Sequence, residues 1–318
     1  MNTIGTVTAP GNTFADPGVY YHKKWLENLK ATLVFEDLGQ KIPLPMHAGA
    51  LAKFTRLNNL VTPGTPPTPA TYLLTEGTNP AAVTMGTTVV TVEPVTYGNV
   101  VALSSELKWK SINPITEGVT DRLADEAAAV YDSVIRLALS GNMTNQFAGG
   151  AVNEAAVADA SVLSPAEIRK AVYTLSLAGV PGFEKNLYRG VIHPAARHDL
   201  NADQSAGSVT DIKKYTDNSE ILRGEVGTVY GVRFVMGQNV GTGTGATAPT
   251  FHTYIVGKDA FGITELAGHG VQFIVKEPGP QDTSNALNRF STVGWSFTMA
   301  AKVLDVKRGV QIYSGSAM

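Results

Sequence analysis

Between Asn113 and Gly141, apolar residues recur at Val119, Leu123, Ala127, Val130, Val134 and Leu137. Glu117, Asp121, Asp125, Glu126 and Asp132 fall mostly on the other side. This period predicts an amphipathic helix. Asn113 suits the cap, Pro114 the first helical position, and Gly141 the position just past the last turn. At 1.5 Å per residue the helix is roughly 40 Å long, about the width of a domain. Ala127, Ala128 and Ala129 would let another element approach its middle, so the helix reads as a spine with a sheet along it.

A period of two governs the C-terminal region. From Phe290 to Val306, the residues Val293, Trp295, Phe297, Met299, Ala301 and Val303 alternate with Thr292, Gly294, Ser296, Thr298, Ala300 and Lys302. That alternation predicts a long strand spanning roughly 55 Å, a length that matches the spine. Pairing a helix near position 125 with a strand near 298 makes one domain discontinuous, with residues 142–250 inserted in it.

The remaining elements follow in order. Residues 1–18 read as an extended arm. Tyr20 to Phe35 has helical spacing through Tyr21, Trp25, Leu29 and Leu33, with His22, Lys23, Lys24 and Lys30 on its other face. Such a face suits water or phosphates. Residues 36–45 read as a connector. After the spine, residues 142–160 read as a loop. Ser164, Pro165 and Glu167 mark a capped helix, with Leu163 stapled to Ile168 and a stop at Gly179 and Pro181. A strand is expected at Tyr188–Ile192 and a short helix at Pro194–Asn201. Residues 203–227 read as polar loop, with a short helix near 211–215. Thr228–Met236 reads as one strand with Gly231 at a bulge, and Gly241–Pro249 as a loop. Phe251–Val256 and Val271–Lys276 are further strands.

Residues 46–106 stand apart. Two β-prone runs, Ala82–Val92 and Tyr97–Leu103, follow a tract with Pro63, Pro66, Pro67, Pro69 and Pro80, which forbids a regular helix. With residues 50–57 this reads as a long two-stranded excursion with a stiff tip. Such a ribbon is marginal in water alone and needs a surface to lie on. A neighbouring subunit supplies one; so does the chain's own domain.

Composition narrows the picture. Hydrophobic residues make up 43% of the 318, enough for a sizeable core, and net charge is -2, so the chain as a whole is no magnet for nucleic acid. Charged residues are only 16%, well below the ~25% of ordinary soluble domains, which fits extensive subunit contact or a Thr-rich β protein. With no cysteine, disulfides and thiolate chemistry are excluded. No secretory signal and no stretch of about 18 apolar residues is visible, so neither export nor a membrane span is expected. Catalytic signatures are missing as well. His193 and His198 are spaced by five residues and do not share a helix face as a zinc pair would. The Gly241–Gly245 run lacks the Lys of a phosphate loop. Asp121, Asp125, Glu126 and Asp132 suit a solvated or partner-facing helix face better than a metal site.

The order of arm, Pro/Gly-tipped ribbon, spine, inserted α/β domain and returning strands resembles the major capsid proteins of tailed bacteriophages, with the Hong Kong 97 fold. It is most similar to the branch typified by N4-like phages. The residues that carry this are YYHKKWLENLKATLVFEDL, LLTEGTNP, DRLADEAAAVYDSVIRLAL, GVIHPAARHDL and GEVGTVYGVRFVM. Together they cover nearly the whole chain, by order and texture rather than by one motif.

The resemblance implies an α+β capsid fold in four parts. Residues 1–45 form the N-terminal arm and 46–106 an extended loop. Residues 107–141 with 251–318 form a peripheral domain, and 142–250 an axial domain. It implies a structural protein, not an enzyme, without cofactor, catalytic or metal residues. The protein would assemble with itself into hexamers and pentamers of an icosahedral head in the bacterial cytoplasm, and end in the virion. Pro63, Pro66, Pro67, Pro69, Tyr72 and Glu76 become loop residues crossing a neighbour. His22, Lys23, Lys24 and Lys30 become candidates for generic contact with packaged double-stranded DNA. Separate scaffold, portal and decoration proteins are further partners. Some relatives weld subunits through a loop Lys; here Lys53, at the ribbon's base, is the only lysine available, so no cross-link is expected. With the arm starting near Met1, no cleaved scaffold segment is expected either. A nanocompartment shell shares the fold. An enzyme with a large β domain and a monomeric adhesin are the remaining rivals.

Overall fold

The computed structural model describes residues 33–45, 49, 51–77, 79–80, 82–110, 115–202, 227–277, 287 and 289–316. The expected arm helix with its basic face, the Asn113 cap and the short helix near 211 lie outside these residues.

In chain order the elements are β1 (Gln40–Leu44), β2 (Ala52–Leu57), β3 (Thr87–Val92), β4 (Val95–Ser104), α1 (Ser105–Lys110), α2 (Ile115–Leu139), β5 (Thr144–Phe147), α3 (Pro165–Leu177), β6 (Tyr188–Ile192) and α4 (Pro194–Ala202). They continue with β7 (Gly227–Val229), β8 (Val232–Met236), β9 (Thr242–Thr244), β10 (Pro249–Val256), β11 (Phe261–Leu266), β12 (Gln272–Lys276), β13 (Phe290–Val303) and β14 (Gly309–Ser314).

The first sheet is organised by β13. On one side it pairs antiparallel with β4 from Phe290↔Ser104 to Met299↔Val95. On the other it pairs with β12 and then β11, and β1 adds to β11 in parallel. The expected alternation holds: Val293, Trp295, Phe297 and Met299 are buried. They meet the spine helix α2 across Ala124, Ala127, Ala128, Tyr131 and Ile135. The Phe297 ring lies 5.3 Å from Trp295, 5.6 Å from Tyr131 and 5.6 Å from Tyr97, within the range of favourable aromatic pairs.

The buried stripe of α2 is rotated from the expected one. Leu137 is 63% exposed, and Val130 and Val134 are half-buried. The sheet meets the alanine side instead, because small side chains let backbone and aromatic rings approach closely. Asp132, expected on the polar side, is buried; its carboxylate accepts hydrogen bonds from the backbone N–H of Val34 (3.2 Å) and Phe35 (3.4 Å).

The second sheet has the order β5-β14-β10-β6-β8-β7, with β9 on the margin of β10. α3 and α4 cover it through Leu163, Ile168, Leu175 and Leu200, packed with Phe234 and Ile312. The α3 signals are used except for one. Ser164 accepts from Glu167 N, and Pro165 opens the helix. Gly179, at φ +66°, ends it: Val180 N donates to Leu175 O and Gly179 N to Ser176 O. The Glu167 side chain does not close the capping box but accepts from Gln146 Nε2.

Several sequence expectations are corrected. The 36–45 connector contains β1, where Pro43 is tolerated in an edge strand. The 142–160 loop contains β5, whose TNQF carries no apolar period. Residues 228–236 form a hairpin rather than one bulged strand, because Tyr230 and Gly231 both take positive φ and reverse the chain. Gly241–Pro249 contributes β9. β11 and α1 carried no recognised signal.

The sheets also cross the expected boundaries at 106/107 and 250/251. β4 pairs with β13, not with the ribbon. β10 and β14, expected beside the spine's own sheet, pair with each other and with β6 and β5 in the second sheet. Local patterning shows that a strand exists but not which sheet accepts it.

Candidate interaction surfaces

The excursion between the sheets is a two-stranded ribbon, β2 with β3, from Ala52↔Val92 to Leu57↔Thr87. Its base is seated on the body. Phe54 is buried over Gly262, where an added Cβ would lie 2.4 Å from the Phe54 ring. Arg56 pairs with Asp305, which also meets Arg308 at 3.6 Å, and Lys302 Nζ donates to Thr91 O at 3.0 Å. A cavity of about 230 Å³ remains between the ribbon's base and the body, lined by Phe54, Arg56, Val90 and Asp305 among others.

Further out, Pro63 and Gly64 rest against the C-terminus of α3. A Cβ on Gly179 would lie 3.3 Å from the Cβ of Pro63, and one on Gly64 3.0 Å from Leu177 O. Beyond that touch, every described residue from 65 to 87 is exposed. A short 3-10 turn, Pro69–Tyr72, stiffens the tip. Tyr72 is 62% exposed, Leu73 81% and Leu74 71%; Val83 and Met85 are exposed as well. Of the loop residues expected to face a partner, Pro66, Pro67, Pro69, Tyr72 and Glu76 share this bare excursion, and Pro63 marks where it leaves the body. Consecutive exposed large apolar residues mark an interaction surface.

A second surface was not singled out by sequence. Beside the first turns of α2, an open groove of about 610 Å³ is lined by Val101, Gly118, Val119, Arg122, Leu123 and Glu126. β4 forms the outer strand of its sheet here, with Val100 63% exposed. Glu126 accepts from Asn99 Nδ2 at 2.8 Å and from Trp295 Nε1 at 3.2 Å. The helix period predicted Val119 and Leu123 as core; Leu123 is buried, and Val119 is half-buried on the groove wall.

The neck of the N-terminal arm is a third feature. Burial pushes the Asp132 carboxyl up to about 6, opposed by the N–H groups of Phe35 and Val34. The same burial raises the neighbouring Tyr131 hydroxyl, which donates to Glu265.

Two of the described histidines, His193 and His252, are held by packing. His193 stacks on Phe251 with centroids 4.6 Å apart, its Nδ1 accepts from Ala195 N, and burial lowers its pKa. His198 lies 3.5 Å from Asp199. His252, also missed by sequence, is buried and bonds Glu154 at 2.8 Å, which Thr250 also reaches at 2.6 Å. Among the described residues no three His, Asp or Glu side chains are placed to hold a metal ion, and no helix is long and apolar enough to cross a membrane. His22, Lys23, Lys24 and Lys30 lie outside the described residues.

The architecture is the α+β capsid fold of tailed phages, of Hong Kong 97 type. The capsid of Ralstonia phage GP4 superposes with a TM-score of 0.68 at 17% identity, covering 90% of this chain and 92% of that one. The capsid of cyanophage Pam1 gives 0.65 at 14%, covering 91% and 92%. A virus-like particle from Pyrococcus furiosus gives 0.50 at 10%, covering 93% and 99%. At these identities the likeness is one of fold. No family model matches the chain, and no curated protein matches it by sequence.

Proposed function

We propose that this chain is the major capsid protein of a tailed bacteriophage, a structural protein that assembles with copies of itself into the icosahedral head. The observation that carries the reading is the ribbon tip: a stiff stretch of exposed apolar side chains with no cover among the described residues, on a fold that phage capsids share. A shell gives each ribbon a neighbour to lie on. Interfaces in such shells would exceed the roughly 2,000 Å² where obligate contacts begin.

In this reading the spine and its sheet form the peripheral part, and the second sheet with α3 and α4 forms the axial part around five- and six-fold centres. Packaged double-stranded DNA is contacted without sequence preference, through His22, Lys23, Lys24 and Lys30, with affinity that falls steeply as salt rises. Scaffold, portal and decoration proteins are separate chains. Assembly takes place in the host cytoplasm, without membrane or cofactor.

Sedimentation and electron microscopy of the expressed full chain test the proposal. Closed particles, or rings of five and six, are the expected result. A protein that stays monomeric at every concentration and salt overturns it.

A further inference from the structure

We propose that the cleft between the ribbon's root and the C-terminal end of α3 binds a phosphate group, free or as a monoester, through Arg56, Asn58, Lys307 and Arg308. The site lies within one chain and stands apart from the shell reading.

The cleft holds about 280 Å³. Arg56, Asn58 and Asn59 line it from the ribbon, and Lys307 and Arg308 from the turn that joins β13 to β14. Asp305 builds that turn. Its carboxylate accepts from Lys307 N at 3.2 Å and caps the 3-10 turn Val306–Arg308. The same carboxylate pairs with Arg56 and lies 3.6 Å from Arg308 Nε, so one anion anchors both guanidiniums. Arg308 Nη1 also donates to Lys258 O at 3.0 Å, which fixes the plane of its fork.

Charge and free donors select the ligand. Three cations against one carboxylate leave two positive charges in the cleft, although the whole chain has a net charge of -2. The Arg308 side chain is 26% exposed and that of Arg56 40%, so water screens them less than it does a free surface cation. Lys307 is exposed and makes no ion pair among the described residues. Asn58 Oδ1 accepts from Thr88 Oγ1 at 2.7 Å, which turns the amide and leaves its Nδ2 hydrogens as donors. The place of a planar carboxylate is already taken by Asp305. What remains are donors from several directions: two guanidinium forks, an ammonium and an amide. The tetrahedral oxygens of a phosphate group match that set, with the forks gripping pairs of oxygens and the lysine acting as a point charge. An anion held there would tie the ribbon's root to the 306–308 turn.

Calorimetric titration of inorganic phosphate into the full-length chain, at ionic strength held constant with chloride, tests this. The parent should take up one phosphate per chain. Lys307→Gln and Asn58→Asp should each weaken that binding at least tenfold. Lys307 is exposed, and Asn58→Asp keeps the acceptor for Thr88, so melting without phosphate should match the parent; if Asn58→Asp melts early, Lys307→Gln alone decides. Equal affinity in parent and variants, or no saturable uptake below about 10 mM, overturns the site. A ten-nucleotide single strand, with and without a 5′-phosphate, separates the sources. Competition by the phosphorylated strand alone assigns the cleft to monoester ends, and competition by neither assigns it to free phosphate. Equal competition by both means that the cations follow a nucleic-acid backbone, and overturns the site. Each result is read on single chains, so failure here leaves the shell reading standing.

Discussion

Two antiparallel pairs in this protein are made of similar residues and meet opposite fates. β3 reads TTVVTV and β4 reads VTYGNVVALS, both rich in β-branched residues. β4 lies against β13 and under α2, so Leu103 is buried and Tyr97 packs on Phe297. The pair β2–β3 has cover only at its base, at Ala52, Phe54 and Val92. Strand propensity is the same in both; what differs is the presence of a second layer. Stability belongs to the covered pair, and function, in the reading proposed here, to the bare one.

The sharpest way to break this contrast is to empty the covered side. Phe297→Ala removes a ring packed among Tyr97, Tyr131 and Trp295, and should cost about 3–5 kcal/mol of unfolding free energy in a denaturant titration. The second test is the buried neck. Below about pH 4 Asp132 is protonated in both folded and unfolded chains. Between there and about 6 the folded chain keeps its proton while the unfolded chain releases it, so this group makes stability fall as pH rises, and the effect levels off above. Asp132→Asn removes that slope. Relative to the parent, the variant should gain on the order of 2 kcal/mol between pH 4 and pH 7, measured as paired denaturation curves. The smallest change is expected on the bare side. Leu73→Ser with Leu74→Ser should leave subunit unfolding within about 0.5 kcal/mol of the parent, because these side chains are already in water. The same pair should abolish particle formation. A large loss of subunit stability would mean that the tip is covered by its own chain.

How much of this was legible depended on whether the signal was local. The α3 helix was readable end to end because Ser164, Pro165, Gly179 and the Leu163–Ile168 staple act within a few residues of each other. β13 was readable because its long alternation leaves no other interpretation. The ribbon's existence was readable from its β-prone runs and the prolines of its tip, but whether the tip lay on its own domain or was bare was not. Sheet membership was not: β4, β10 and β14 took partners 50 to 200 residues away, and nothing in their own sequence names them. β5 was missed because a polar TNQF strand is held by neighbours rather than by its own pattern. The orientation of α2 was misjudged because two adjacent stripes were apolar enough, and the sheet chose the one with the smaller side chains. For the interaction surfaces, the tip was found and the groove was not, since a groove is defined by the absence of cover.

One missing methyl group carries a mechanical consequence. Phe54 occupies the space that a side chain at position 262 would need, so the ribbon joins the body there with ring against backbone. A projecting arm acts as a lever: small changes of angle at its foot become large displacements at its end. If many copies clasp one another through such arms, the dihedral between neighbours, and hence the radius at which the container closes, is inherited from that single glycine.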